Sequence, residues 1–166
     1  MEKLFFEALR LGELKQDFIR AEPILRDTDL LSIDIYCVKS SEIADSSHKN
    51  INGFSTFDLC KLSRYAGMSD KLSSFGIYEL QAMKKSESLI HLISQMLWYF
   101  LEGFNLRLNE KVSESNSSFV KYNVPIQDEI LVFIKSEVSG RWWIKIPNGN
   151  NNEHKPSLLA CDKQDY

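Results

Sequence analysis

The stretch Asp29-Leu30-Leu31-Ser32-Ile33-Asp34-Ile35-Tyr36, taken with Leu72-Ser73-Ser74-Phe75-Gly76-Ile77-Tyr78-Glu79-Leu80, decides the architecture of this chain. Each is a short apolar run that reaches an acid, Asp34 in the first and Glu79 in the second, and a helical pattern lies between them. Strand, helix, strand in that order is the form of a β-α-β unit, whose strands run parallel. Leu30, Leu31, Ile33 and Ile35 put apolar side chains on both faces of the first strand, which predicts helices on both sides of it. Both acids then fall near the carboxyl ends of their strands. That rim is where ligands bind in open parallel sheets, so Asp34 and Glu79 are the first candidates for a shared site.

Working outward, Tyr36 to Asn52 is rich in Ser, Lys, Asp and Asn without an apolar period. It reads as a surface loop at the carboxyl end of the strand, long for a mere connector. Ser55 is placed to cap the following helix, Asp58 favours its start, and Gly67 stands just past its end. Phe57, Cys60 and the stem of Arg64 line one stripe of it, and Met68 to Lys71 form the next turn. Upstream, residues 4 to 12 fit a short strand or a helical turn equally. Leu14 and Phe18 give an amphipathic helix from Glu13 to about Ala21, and Pro23 opens a short turn to Arg26.

Downstream, Ser86 with Glu87 starts a long helix. Leu89, Ile90, Ile93, Met96, Leu97, Phe100, Leu101 and Phe104 form a wide apolar stripe on it, which Trp98 and Tyr99 extend. Such a helix is largely buried or leans on a partner. After Leu108 the composition shifts. Residues 109 to 118 form a polar connector, and Phe119 to Val124, Ile130 to Ile134 and Trp142 to Ile146 read as strands, the last two turned into a hairpin at Ser139-Gly140. The expected organisation is an α/β domain over 1–108, the connector, and a small β extension over 119–166.

The bulk composition excludes several classes. With 166 residues, 43% hydrophobic and 26% charged, the chain can bury an ordinary soluble core. A net charge of -3 and a pI near 5.7 give no basic footprint for nucleic acid or for an anionic membrane. Three cysteines, Cys37, Cys60 and Cys161, are odd in number and lack metal-knuckle or redox spacing, which fits reduced thiols in the cytoplasm. The start Met-Glu-Lys-Leu-Phe-Phe-Glu lacks signal-peptide character, and Leu89 to Phe104 is interrupted by His91, Ser94, Gln95 and Glu102, a poor membrane span.

Ser32-Ile33-Asp34-Ile35-Tyr36 resembles the Ser-x-Asp-x-Asp signature of the ureohydrolases, the arginase, agmatinase and formimidoylglutamase group. Asn52-Gly53-Phe54-Ser55-Thr56 is similar to their Gly-Gly-Leu-Thr turn before a helix, and Leu72 to Leu80 to their last catalytic strand, which ends in a glutamate. The resemblance covers roughly residues 25 to 82, and Gly140-Arg141-Trp142-Trp143 resembles an extension on some bacterial arginase-like proteins. It implies the carboxyl-terminal half of such a protein, with part of a three-layer α/β/α arginase-like parallel sheet and a C-terminal β-hairpin extension. It further implies a full-length parent that hydrolyses a C–N bond of a guanidino or formimino substrate at two manganese ions, with Asp34 as a metal ligand and Glu79 orienting the substrate. His48, Asn50 and Asn52 would lie in the substrate loop. Such a metal pair activates a bridging water. The isolated chain is expected to be inactive, and association with further copies is expected from exposed apolar surface.

Departures from the pattern sustain the alternative, a non-catalytic ureohydrolase-like interaction or regulatory module. Tyr36 stands where the second aspartate of the signature is expected, Lys39 near where another belongs, and Gly76 in place of an acid on the second strand. The family's Gly-Gly-x-His and Asp-x-His-x-Asp metal motifs do not occur in the chain. Read without the resemblance, His48 and His154 are solvated loop side chains and His91 is a partly buried helical residue. Cys37 packs in a core, and Arg141-Trp142-Trp143 forms a packed hairpin edge.

Overall fold

The computed structural model describes residues 8–43, 49–80, 86–112, 116–126, 129–146 and 158–166. The chain divides into two units, Met1–Arg107 and Leu108–Tyr166. In the first, α1 (Leu11–Gln16) and α2 (Ala21–Arg26) lead into β1 (Leu30–Asp34), α3 (Thr56–Gly67), β2 (Ser74–Tyr78) and α4 (Glu87–Asn105). β1 and β2 pair in parallel, Leu30 opposite Ser74 and Asp34 opposite Tyr78, so the β-α-β reading is realised in register. The expected helix from Glu13 to Ala21 is broken. Asp17 is extended and its carboxylate accepts from the Ile19 N–H at 3.2 Å, which starts a 3-10 turn, and Pro23 lies within the first turn of α2 rather than opening a new one.

The core of this unit lies on one face of the sheet. Ile33 and Ile35, with Phe75 and Ile77 beside them, meet Leu59 and Cys60 of α3 and Leu89, Leu92 and Met96 of α4, while Leu14, Ala21 and Leu25 pack with Leu31, Leu62 and Tyr65. The other face carries Leu30, Ser32 and Asp34 beside Ser74, Gly76 and Tyr78, and there Leu30 remains 60% and Tyr78 55% exposed. The sequence predicted helices on both faces. Among the described residues the helices cover one face, and Leu30 is consequently left in solvent. The ring of Tyr78 folds back over the bare Cα of Gly76, which partly screens that face.

Helix ends are set by local chemistry. Ser55 Oγ accepts from the Asp58 N–H at 3.1 Å and Asp58 Oδ2 from the Ser55 N–H at 3.0 Å, a reciprocal capping box at the start of α3. At its other end, Arg107 donates through Nε to the Gly67 carbonyl at 2.8 Å and through Nη2 to the Leu72 carbonyl at 3.3 Å. Gly67 closes α3 instead of following it, and its role is proximity: a Cβ there would strike the Phe100 carbonyl of α4, as one on Gly103 would strike the Arg64 carbonyl of α3. Two glycines thus let the helix backbones touch. The buried stripe of α3 is Leu59, Cys60, Ser63, Ala66 and Gly67, so Phe57, expected in it, is exposed under the Lys61 ammonium at 4.7 Å.

The second unit is a four-stranded antiparallel sheet in the order β3 (Phe119–Ile126), β4 (Glu129–Ser136), β5 (Trp142–Lys145), β6 (Leu158–Cys161). Gly140 has a positive φ of 73° in the β4–β5 turn, a conformation glycine adopts without cost. Ser136 Oγ accepts from the Val138 and Ser139 N–H groups at 3.1 Å, which fixes that turn. Trp142 is buried against Phe133 and Cys161 and stacks with Tyr166, while Trp143 meets Phe119 edge-on, so these indoles are internal packing. The sequence reading found three of these strands and missed β6, a four-residue strand without alternation.

Candidate functional site

The parallel register builds the candidate site. Asp34 closes β1 opposite Tyr78, the last residue of β2, and Glu79 follows directly, so both acids stand on the carboxyl rim of the sheet and both are exposed. Asp34 Oδ1 accepts from the Tyr36 N–H at 2.9 Å and starts the 3-10 turn Ile35–Cys37. Glu79 has a φ of 64°, the left-handed region that a non-glycine residue occupies at a cost of about 1 kcal/mol. The strand therefore ends by an abrupt turn at the glutamate. Strain of this kind concentrates at functional sites.

Residues 35–43 and 49–54, after β1, are more ordered than their polar composition predicts. Val38 and Ile43 are buried in the core, and Val38 forms a parallel bridge with Phe54. The Phe54 N–H donates to the Cys37 carbonyl at 2.8 Å and the Lys39 N–H to the Phe54 carbonyl at 3.0 Å. Gly53 is buried beneath this bridge, where a Cβ would lie 2.9 Å from the Lys39 nitrogen, so the Asn52-Gly53 turn is sterically reserved for glycine. The Lys15 ammonium donates to the Gly53 carbonyl at 2.6 Å from α1. Two apolar residues and one glycine hold the loop to the rim.

The other candidates separate in this setting. Asn50 donates through Nδ2 to the Tyr36 carbonyl at 2.9 Å, and its own carbonyl accepts from the Ser40 N–H and Oγ, each at 2.9 Å, so it braces the loop. Asn52 is exposed beside the rim. His48 and His154 lie outside the described residues. His91, expected to be partly buried, is exposed on α4, because the helix turns Leu89, Leu92 and Met96 inward. Tyr36 packs its ring against the core cluster, so the position expected to hold a second carboxylate is a structural one.

Cys37 lies beside Asp34, and burial together with that negative charge pushes its thiol up to about 11. It is therefore a neutral packing group at physiological pH and not a nucleophile. Glu42 is a residue the sequence reading passed over. Its Oε2 accepts from the Thr56 N–H and Oγ1, both at 3.2 Å, and with Ser55 and Asp58 it occupies the donors at the start of α3. The contact spans fourteen residues and left no local signal. Among the described residues no group of three or more His, Cys, Asp or Glu side chains could hold a metal ion. Asp34 supplies one hard oxygen donor set, and a two-metal centre needs several more, so the described residues do not by themselves fit a manganese pair.

The fold is similar to that of formiminoglutamase from Trypanosoma cruzi crystallised with Mn2+, at 21% identity and a TM-score of 0.51, over 60% of this chain and 36% of that one. It is also similar to an arginase superfamily protein from Trypanosoma cruzi, at 21% identity and a TM-score of 0.50, over 58% and 34%. The chain thus has part of the arginase-like fold and spans about a third of the length of the solved structures it matches. No protein-family model and no curated protein matches it. No helix among the described residues is long and apolar enough to cross a membrane.

Proposed function

We propose that this chain is the part of an arginase-like C–N hydrolase that supplies one rim of its active site, with the remaining metal donors carried by residues beyond it. The observation behind the reading is the register that sets Asp34 opposite Tyr78, so that Asp34 and Glu79, the residue after Tyr78, stand on the same carboxyl rim of two parallel strands. An exposed carboxylate at a sharp strand end can accept paired N–H donors from a planar guanidinium or formimino cation, a geometry carboxylates recognise strongly. Glu79 takes that orienting role. Asp34 offers its Oδ2, which takes no hydrogen bond from the described residues, to a cation, while Oδ1 is fixed by the Tyr36 N–H. The fold's solved relatives include a formiminoglutamase bound to Mn2+, which makes manganese the metal to try first.

The test has two arms. The isolated 166-residue chain, supplied with Mn2+ and with arginine, agmatine or formiminoglutamate, should release no urea, no formamide and no ammonia. Turnover there would overturn the division of the metal site. The protein from its native source should have an intact mass well above 19.2 kDa, and in it Glu79→Gln should lower turnover at least a hundredfold while leaving the melting temperature within a few degrees. Unchanged turnover in that variant would sink the role of the rim.

A second reading, a non-catalytic interaction module of the same fold, is favoured by Tyr36 in the core and by the Tyr78 ring over Gly76. Under it the native mass is close to 19.2 kDa, and Tyr36→Asp restores no metal affinity.

A further inference from the structure

The chain leaves the sheet of the second unit beside a tryptophan and folds back over it. Cys161, the last residue of β6, lies opposite Trp142 of β5. Beyond it Asp162-Lys163-Gln164-Asp165 is wholly polar, and Tyr166 follows. The reversal is made by aspartates: the Asp162 N–H donates to Asp165 Oδ2 at 2.9 Å and the Gln164 N–H to Asp162 Oδ1. The Tyr166 ring then meets three others. It stacks on Trp142 at 5.2 Å with 27° between the planes, meets Phe133 edge-on at 5.5 Å and 80°, and tilts by 59° to Tyr122 at 5.3 Å. We propose that residues 162–166 are a releasable strap, whose ring fills an aromatic slot that takes a small neutral phenol from solution when the strap is open.

The slot belongs to the sheet and not to the strap. Tyr122, Phe133 and Trp142 come from the adjacent strands β3, β4 and β5, with Tyr122 directly opposite Phe133. Strand pairing therefore holds its walls in place whether or not a fourth ring is present. Stacked and edge-on contacts are the arrangements in which aromatic rings attract one another. The strap, by contrast, is held lightly. Lys163, Gln164 and Asp165 are exposed, and Tyr166 keeps 51% of its surface in water although it touches three rings. Against those contacts stands the conformational entropy of ordering the whole segment. Segments with few buried apolar contacts open at low free-energy cost. The walls also set the chemistry of the ligand. Lys135, opposite Trp142, has its ammonium paired with Glu137 at 3.3 Å, so the slot offers aromatic surface and no spare cation for an anion. A neutral ring of tyrosine's own size is what it fits.

The experiment is equilibrium dialysis of p-cresol, the tyrosine side chain as a free molecule, against the full chain. A strap that is closed most of the time lowers the apparent affinity of the slot by the open fraction. Tyr166→Ala should therefore take up p-cresol saturably, and at least about tenfold more tightly than the unaltered chain. Its tryptophan emission should move to longer wavelength as Trp142 meets water, and p-cresol should move it back. Asp165→Ala loosens the turn and leaves all four rings, so it should give an intermediate affinity, and Tyr166→Phe should match the unaltered chain. Adding Tyr122→Ala to Tyr166→Ala should abolish the uptake, whereas Trp98→Ala on the exposed side of α4 should not. Three results each overturn the proposal: no saturable uptake by a folded Tyr166→Ala chain, equal uptake by the unaltered chain, or uptake indifferent to Tyr122→Ala. Should Tyr166→Ala lose its sheet, Asp165→Ala decides, and an affinity no tighter than that of the unaltered chain overturns the proposal. Asp34 and Glu79 take no part, so the slot and the hydrolase reading fail separately.

Discussion

Cys37 shows how the rim and the core meet at one side chain. Its thiol pKa is raised to about 11 by burial and by the Asp34 carboxylate, against 9.0 for a free thiol. The folded state therefore holds the proton more tightly than the unfolded state. The resulting stability is complete below pH 9 and is lost as pH rises through 11. Unfolding free energy measured by urea titration should fall across that window, and Cys37→Ala should flatten the fall without abolishing it, because burial also raises the thiol of Cys60 and the phenol of Tyr65. Iodoacetamide at pH 8 should modify Cys37 far more slowly in the native than in the urea-unfolded chain. At this scale the sequence was informative where the pattern was local. Asp34 and Glu79 could be placed because each ends its own apolar run. Glu42, Val38 and Ile43 could not, because their partners lie across the β1–α3 segment and no neighbouring residue announces them.

Among the elements, the contact between α3 and α4 carries the sharpest consequence. Alanine at Gly103 would gain roughly 1 kcal/mol of helix propensity, yet its Cβ would overlap the Arg64 carbonyl, a backbone atom that moves only if the helices part. Overpacking of that kind costs about 3 kcal/mol, so the loss prevails. Gly103→Ala should lower the denaturation midpoint clearly, and Gly67→Ala, which meets the Phe100 carbonyl, should do the same. Gly12→Ala provides the contrast. Nothing approaches within 4 Å of that position in α1, so the substitution should stabilise by about 0.5 kcal/mol. This crossing also explains why the buried stripe of α3 was misread. Ser63, Ala66 and Gly67 form it because the helices approach closely, and small residues carry no hydrophobic signal, whereas Phe57 carries a strong one and faces solvent. The capping of both helices was legible, since Ser55 and Ser86 act through N–H groups three residues on.

For the whole molecule, each unit has a core made of its own residues. Ile33 to Met96 serve the first, and Phe133, Trp142 and Cys161 the second. The β-α-β unit was readable because a parallel pair needs a crossover helix, and the turn at Ser139-Gly140 announced the antiparallel sheet. The open side of β1 was not readable, because Leu30 is as apolar as its buried neighbours and is exposed only because the described helices pack on the other face. The two units also carry separate probes. All four described α-helices lie in the first unit, while Trp142 and Trp143 are buried in the second and Trp98 is largely in solvent. Ellipticity at 222 nm then reports mainly the first unit, and the blue edge of tryptophan emission reports the second. Gly103→Ala should shift the midpoint seen at 222 nm by several degrees and leave the midpoint of blue-edge emission in place. Equal shifts in both signals would show that the units melt as one cooperative body rather than separately.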